Sequence, residues 1–454
     1  MTKRFDTIII GSGIGGLAVG AVLLRSRPES RILILEKNSD VGGRLFSYRK
    51  EGFKLDIGAH VFSRSDKGPN GEILRLVGKE DKVQFTYVRP MTSYGGKVFA
   101  FPKGLQGMIP DKDFDQLMAM FAEMLNLSPE QAQELDETDL RSYVGRFTDN
   151  GLVNACINNV CNVYVCIPYF RASAGEFIRC ISSEARARAS GYPLGGCGAL
   201  AYAIAEGITE MGGVIKTNVP VDKIIVDNKV ARGVRAGGEE YLADIVISNA
   251  DIKHTMTDLV GEDQLDEKYV SRIKGLEYSY SALTLRIALD KVLAEWKLLT
   301  HIGSDDPDGY HCDLESGKIP DNLNIFSPVP SNFARDVAPE GKQLLTACMF
   351  VPFGFQNIAE LREAVVDTME RLLPGMRKHT LWIDTSTPAD LDKWVGEDGA
   401  IIGVAQSIRQ SGKNRPEVIS PIKNLYLCGA EAGGWGVGTE LAIASARTVA
   451  QLIA

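Results

Sequence analysis

The chain has 454 residues, 44% of them hydrophobic and 24% charged, which by length is about two to three domains with a well-filled core. A net charge of -8 and a pI of about 5.4 leave no basic footprint, so nucleic acid is excluded as a partner class. No run of about 20 apolar residues occurs, and Lys3, Arg4 and Asp6 stand where an export signal would be apolar. The expected location is cytoplasmic, or at most a membrane surface.

Residues 6–36, DTIIIGSGIGGLAVGAVLLRSRPESRILILE, predict a strand, a glycine turn, a helix and a second strand ending on an acid. That order grips the ADP half of a dinucleotide. Gly11 permits the tight turn, Gly13 removes a Cβ from the path of a pyrophosphate, and Gly16 lets the helix pack close on its strand. Ile14 and Gly15 open the helix, whose free N–H groups and positive dipole end face the phosphates. Glu36, with Lys37 beside it, lies about 20 residues on, where a carboxylate accepts hydrogen bonds from the adenosine ribose.

Residues 36–60, EKNSDVGGRLFSYRKEGFKLDIGAH, continue through Gly42, Gly43 and Arg44 to Asp56, Gly58, Ala59 and His60. Residues 82–101 read as strands around a Gly95-Gly96 turn. Residues 112–190 read as helical, with Phe114, Leu117, Met118, Phe121 and Leu125 on one face and a helix start at Ser128-Pro129. Residues 191–251 give a Gly-rich entry, an amphipathic helix, a hairpin turning at Asp227-Asn228 and an apolar strand from Ile245 to Ser248. Residues 424–454, NLYLCGAEAGGWGVGTELAIASARTVAQLIA, read as a buried strand, a Gly-rich bend and a helix.

Eight cysteines, among them Cys156, Cys161 and Cys166 at intervals of five, match no zinc spacing and read as small buried hydrophobes. His60, His254, His301, His311 and His379 show no metal-ligand spacing either. No metal is expected.

The acid, GG-Arg and D-x-G series of residues 36–60, the 191–251 segment and the C-terminal block resemble the FAD-binding superfamily of flavin amine oxidases, phytoene desaturases, carotenoid isomerases and retinol saturases. The resemblance implies an α/β fold: a Rossmann-type, GR2-like FAD-binding domain interleaved with an α+β substrate domain. It implies FAD as cofactor, with the FAD-binding domain at 1–75, 191–255 and 415–454 and the substrate domain at 76–190 and 256–414. It assigns Gly43 and Arg44 to the dinucleotide, Gly58 and Ala59 to the approach to the flavin ring, Val221 to adenine, Gly429 and Glu431 to the ribityl and phosphate region, and Gly436, Val437 and Gly438 to the turn under the ring.

The flavin supplies the hard step of such a reaction, so the protein need supply mostly position, dryness and electrostatics. His60 and Trp435 are the residues expected to act at the ring. No second GxGxxG follows a strand, so electrons are expected to pass to an external acceptor, oxygen or a quinone. The expected activity is a phytoene desaturase-like hydride transfer at a carbon–carbon bond of an apolar, isoprenoid or lipid-like substrate. A flavin amine oxidase acting on a C–N bond and a non-catalytic escort protein of the GDP-dissociation-inhibitor kind are the alternatives. The desaturase reading predicts a mostly apolar tunnel with no charged group anchoring the reacting end.

Overall fold

The computed structural model describes residues 3–58 and 60–453. In chain order its principal elements begin with β1 (Lys3–Ile10), α1 (Ile14–Ser26), β2 (Ile32–Leu35), β3 (Leu45–Lys50) and β4 (Phe53–Gly58). Then come β5 (Met91–Tyr94), β6 (Lys97–Phe99), α2 (Asp111–Asn126), α3 (Gly151–Val165), α4 (Ala174–Ala187) and α5 (Gly198–Glu210). Strands β7 (Val214–Lys216), β8 (Val221–Asp227), β9 (Val230–Ala236), β10 (Glu239–Ser248), β11 (Ser281–Leu289), β12 (Leu298–His301), β13 (Ile325–Pro328) and β14 (Gln343–Val351) follow. The chain ends with α6 (Ile358–Leu372), β15 (Thr380–Ser386), β16 (Leu425–Leu427) and α7 (Thr439–Ile453).

Unbroken apolar runs make the first sheet. Ile8 to Ile10 and Ile32 to Leu35 are buried on both faces, as a parallel sheet covered by helices requires. The sheet order is β8-β9-β10-β1-β2-β7, with β16 also on β10. One rung runs Val214, Leu33, Ile8, Val246, Leu425. Strand β10 is longer than the apolar run Ile245–Ser248: its first half pairs antiparallel with β9, its second half parallel with β1 and β16. The hairpin β8–β9 turns through Asn228 and Lys229, both at positive φ.

The second sheet runs β15-β11-β14-β13-β12-β5-β6, and Gly95-Gly96 closes β5–β6 as the sequence predicts. Strand alternation divides β11 between two environments. Leu283, Leu285, Ile287 and Leu289 enter a core with Leu361, Val365 and Met369 of α6, whereas Ala282, Thr284 and Arg286 face the cavity between the sheets. Hairpin β3–β4 ties the sheets together: Phe53 meets Trp382 edge-on at 5.2 Å, and Tyr48 and Lys50 both reach Asp384.

Helices α2, α3 and α4 build a third core. The inward row of α2 is Leu117, Met120 and Met124, while Leu125 is exposed. The stripe is turned relative to the sequence expectation because α4 docks there, Ser182 donating to the Met124 carbonyl. Met256, Leu259, Val260 and Ile273 bury in the first core. All eight cysteines are free thiols, Cys312 alone exposed. Among the described residues no group of three or more His, Cys, Asp or Glu is placed to hold a metal, and no helix is long and apolar enough to cross a membrane.

Candidate functional site

A cavity of about 690 Å³ opens at the carboxyl ends of β1, β2, β10 and β16 and extends to the inner face of the second sheet. Ligands of open α/β sheets bind at such a crevice. Helix α1 begins there at Gly13 with no side-chain cap and no acid in its first turn, leaving its first N–H groups for a ligand.

Gly11, Gly13, Ile14, Gly15, Glu36, Lys37, Gly43, Arg44, Gly58, His60, Val221, Gly429, Glu431, Val437 and Gly438 all line this one cavity. Ala59 lies outside the described residues. Glu36 is buried; its Oε2 accepts from the Ser12 N–H (2.8 Å) and Ser12 Oγ (2.7 Å), its Oε1 from the Asn38 N–H (2.9 Å).

The glycines serve a residue that the sequence did not single out. A Cβ at Gly13 would come within 2.8 Å of Asn249 Nδ2, one at Gly15 within 2.4 Å of Asn249 Oδ1 and one at Gly429 within 2.8 Å of that oxygen. Asn249 thus occupies the space that the missing Cβ atoms leave. Gly16 is not in the wall; its Cβ would meet the Gly11 carbonyl at 2.1 Å, so it sets the helix–strand approach. Gly438, at positive φ, faces open space, and a Cβ at Gly43, also at positive φ, would meet only the Gly13 Cα, at 3.5 Å.

Arg44 lines the cavity, yet its guanidinium is engaged within the protein: Nη2 pairs with Glu397 and Nε donates to the Ala400 carbonyl at 3.0 Å. Glu431 is buried, accepting only from the Val404 N–H through Oε1 while Oε2 has no partner among the described residues. Burial, with Glu397 and Asp251 nearby, pushes its pKa far up and favours the protonated form.

His60 is buried and makes no hydrogen bond among the described residues. Burial first, then Arg286, pushes its pKa down to about 3, so at neutral pH it is an uncharged imidazole. Trp435 is 42% exposed and outside the cavity wall. Gly433 and Gly434, both at positive φ, swing the turn so that the indole leaves the site. Gly436 is also outside the wall: its N–H donates to Glu176 (2.9 Å) and its carbonyl accepts from Gln406 (3.0 Å), tethering the turn that presents Val437 and Gly438.

Other residues missed in the sequence are Arg286, Asp251, Glu397 and Trp394, all in the wall. Asn249 and Asp251 stood one and three residues beyond a strand end, the position where Glu36 was found, and Arg286 was a lone cation inside an apolar strand. Glu397 and Trp394 carried no such signal. The predicted, mostly apolar tunnel has Arg286 in its wall. The residues present fit a ligand with phosphates near α1 and a diol near Glu36: uncapped helix N–H groups, an oriented carboxylate and a glycine open to the space.

The family of flavin containing amine oxidoreductases matches residues 14–454. The chain is 25% identical to the lycopene-forming phytoene desaturase of Pseudescherichia vulneris, over 98% of each chain. It is also 25% identical to the 4,4'-diapolycopen-4-al dehydrogenase of Metabacillus indicus, over 93% of this chain and 91% of that protein. In fold it matches an oxidoreductase from Methanosarcina mazei with a TM-score of 0.79 at 20% identity, covering 98% of this chain and 100% of the other. The chain therefore belongs to the flavin containing amine oxidoreductase family, as an oxidoreductase whose cofactor is FAD.

Proposed function

We propose that the protein is a phytoene desaturase-like enzyme that moves a hydride between a carbon–carbon bond of an apolar, isoprenoid-like substrate and FAD, with oxygen or a quinone as the external electron acceptor. The observation that carries this reading is the cavity wall beyond the dinucleotide end, where Phe62, Val163, Leu298, Phe326 and Phe350 predominate. Among the described residues its sole lysine is Lys37, beside Glu36, so the flavin end lacks the lysine expected of a C–N oxidase. The likeness to the desaturase supports the same choice.

Bound FAD would supply the hydride chemistry, leaving binding, orientation and exclusion of water to the chain. The uncapped N-terminus of α1 with Gly11, Gly13, Ile14 and Gly15 would hold the pyrophosphate, Glu36 and Lys37 the ribose, and Val221 the adenine. Gly43 and Arg44 would flank the dinucleotide, with Gly429 and Glu431 at the ribityl chain. Gly58, Ala59 and His60 would approach the ring from one side, Val437 and Gly438 from below, and Gly436 through its tether to Glu176. Residues 1–75, 191–276 and 415–454 would form the cofactor domain and the remainder the substrate domain. An apolar substrate would be taken up at a membrane surface.

Anaerobic mixing tests the reading. Oxidised holoprotein should lose its visible flavin band with a polyisoprenoid hydrocarbon, or reduced holoprotein regain it with the more unsaturated partner, and neither should occur with primary amines. Bleaching by an amine and by no hydrocarbon would overturn it.

A further inference from the structure

Arg286 is a cation set into the cavity wall, on the strand face of the second sheet that also carries Ala282 and Thr284. Its side chain is 2% exposed, and it projects from β11 beside Thr284, on the face opposite the Leu283–Leu289 core. A guanidinium carries five N–H donors. Nε donates to the Asp56 carbonyl (2.6 Å), and Nη1 to Ser386 Oγ (2.8 Å) and, at a long 3.4 Å, to Asp384. Nη2 has no acceptor among the described residues.

Neither nearby acid saturates the charge. Asp384 is shared with Tyr48 (2.7 Å) and Lys50 (3.0 Å). The Asp56 carboxylate is turned to Ser47, Tyr192 and the Cys197 N–H. His60 lines the same cavity; Arg286 helps to keep its imidazole uncharged, and its buried Nδ1 lacks a partner among the described residues. Arg286 Nη2 and His60 Nδ1 therefore both keep hydrogen-bonding capacity that no described residue takes up, which a ligand oxygen would satisfy.

We infer that Arg286 and His60 form an oxygen-binding subsite in the substrate chamber, and that the substrate is an apolar chain ending in a carboxylate. This rests on the apolar-substrate reading above and narrows it. A carboxylate suits the place because a charge-assisted N–H···O bond is about twice as strong as a neutral one, and Arg286 is the wall's cation at the sheet. Thr284 and Ser386 line the same patch and hold its polarity to this one spot.

The test uses the FAD-loaded protein and three probes of equal chain length: farnesoic acid, farnesol and farnesene. Each is titrated while the visible flavin spectrum and the calorimetric heat are followed. The wild-type protein should bind the acid at least about 10-fold more tightly than the alcohol or the hydrocarbon, roughly 1.4 kcal/mol. In Arg286→Met that preference should vanish while farnesene affinity stays within about twofold, and Arg286→Lys should keep part of it.

Equal affinity of wild type for acid and hydrocarbon would overturn the subsite and leave the apolar-substrate reading standing. Binding of none of the three would overturn both. If Arg286→Met sheds FAD or weakens all three probes alike, the arginine serves the cofactor or the β3–β4 hairpin and the subsite is wrong. Because the wild-type comparison needs no substitution, a variant that fails to fold does not blunt the test.

Discussion

At Glu36, three protein hydrogen bonds orient the carboxylate, so its role in the fold and its role toward a ribose are coupled. Glu36→Arg would remove two charged hydrogen bonds to the ribose, about 1.5–3 kcal/mol each, and apo-protein titrated with FAD should show at least about a 100-fold loss of affinity. The same change strands the Ser12 and Asn38 N–H groups, so the melting temperature of the apo-protein should also fall. Unchanged FAD affinity would make Glu36 a purely structural acid. The buried histidines set a second expectation. Burial holds His60 and His311 down at about 3, while in the unfolded chain each titrates near 6.5. The unfolded state therefore binds more protons, and stability falls as pH drops from 6.5 toward 3, by about 1.4 kcal/mol per pH unit for each. Glu184 works in the opposite sense: burial raises it to about 7, so its contribution is lost as pH rises from 4.5 to 7. Denaturant unfolding at pH 5 and 8 should find His311→Asn flattening the acid limb and Glu184→Gln gaining stability at pH 8.

At the level of elements, two connections place the cavity walls. The turn after β1 holds its shape because Gly15 has no Cβ: an alanine there would collide with both the Asn249 side chain and the Gly429 backbone, at 2.4 and 2.8 Å. Gly15→Ala should therefore destabilise by a few kcal/mol, in the range of overpacking, and abolish flavin retention, read by released FAD and by thermal melts. The C-terminal turn is held by Glu176 of α4, which accepts from the Gly436 N–H and Gln406 and pairs with Arg179. Glu176→Ala should release that turn, lowering FAD affinity while near-normal secondary structure persists by circular dichroism. The glycine turn was legible from spacing alone. Its tie to Asn249 was not, since residues 15, 249 and 429 meet only once β1, β10 and β16 lie side by side.

For the whole molecule, the first sheet draws strands from residues 3–35, 214–248 and 425–427, so no contiguous half of the chain contains it. Helix α7 buries Ala442, Ile443, Ala446 and Val449 against it. Burial of a large apolar side chain contributes about 1.5–3 kcal/mol, and total stability is about 5–15 kcal/mol. A chain cut after residue 423 should therefore fail to unfold cooperatively, which a denaturant titration checks. Added FAD should raise the melting temperature of apo-protein in proportion to the logarithm of its concentration.

Local pattern determined a good deal: apolar runs spelled the parallel strands, the glycine spacing marked the uncapped helix start, and the acid after β2 marked one end of the cavity, because strand, turn and cap preferences act over a few residues. The tertiary structure alone decided that Trp435 points to solvent, that His60 is neutral, that Glu431 favours its protonated form and that Arg286 stands in the chamber wall. Burial and the charges that surround a group come from segments hundreds of residues apart, and a pKa or a side chain's direction follows from them rather than from its neighbours in the chain.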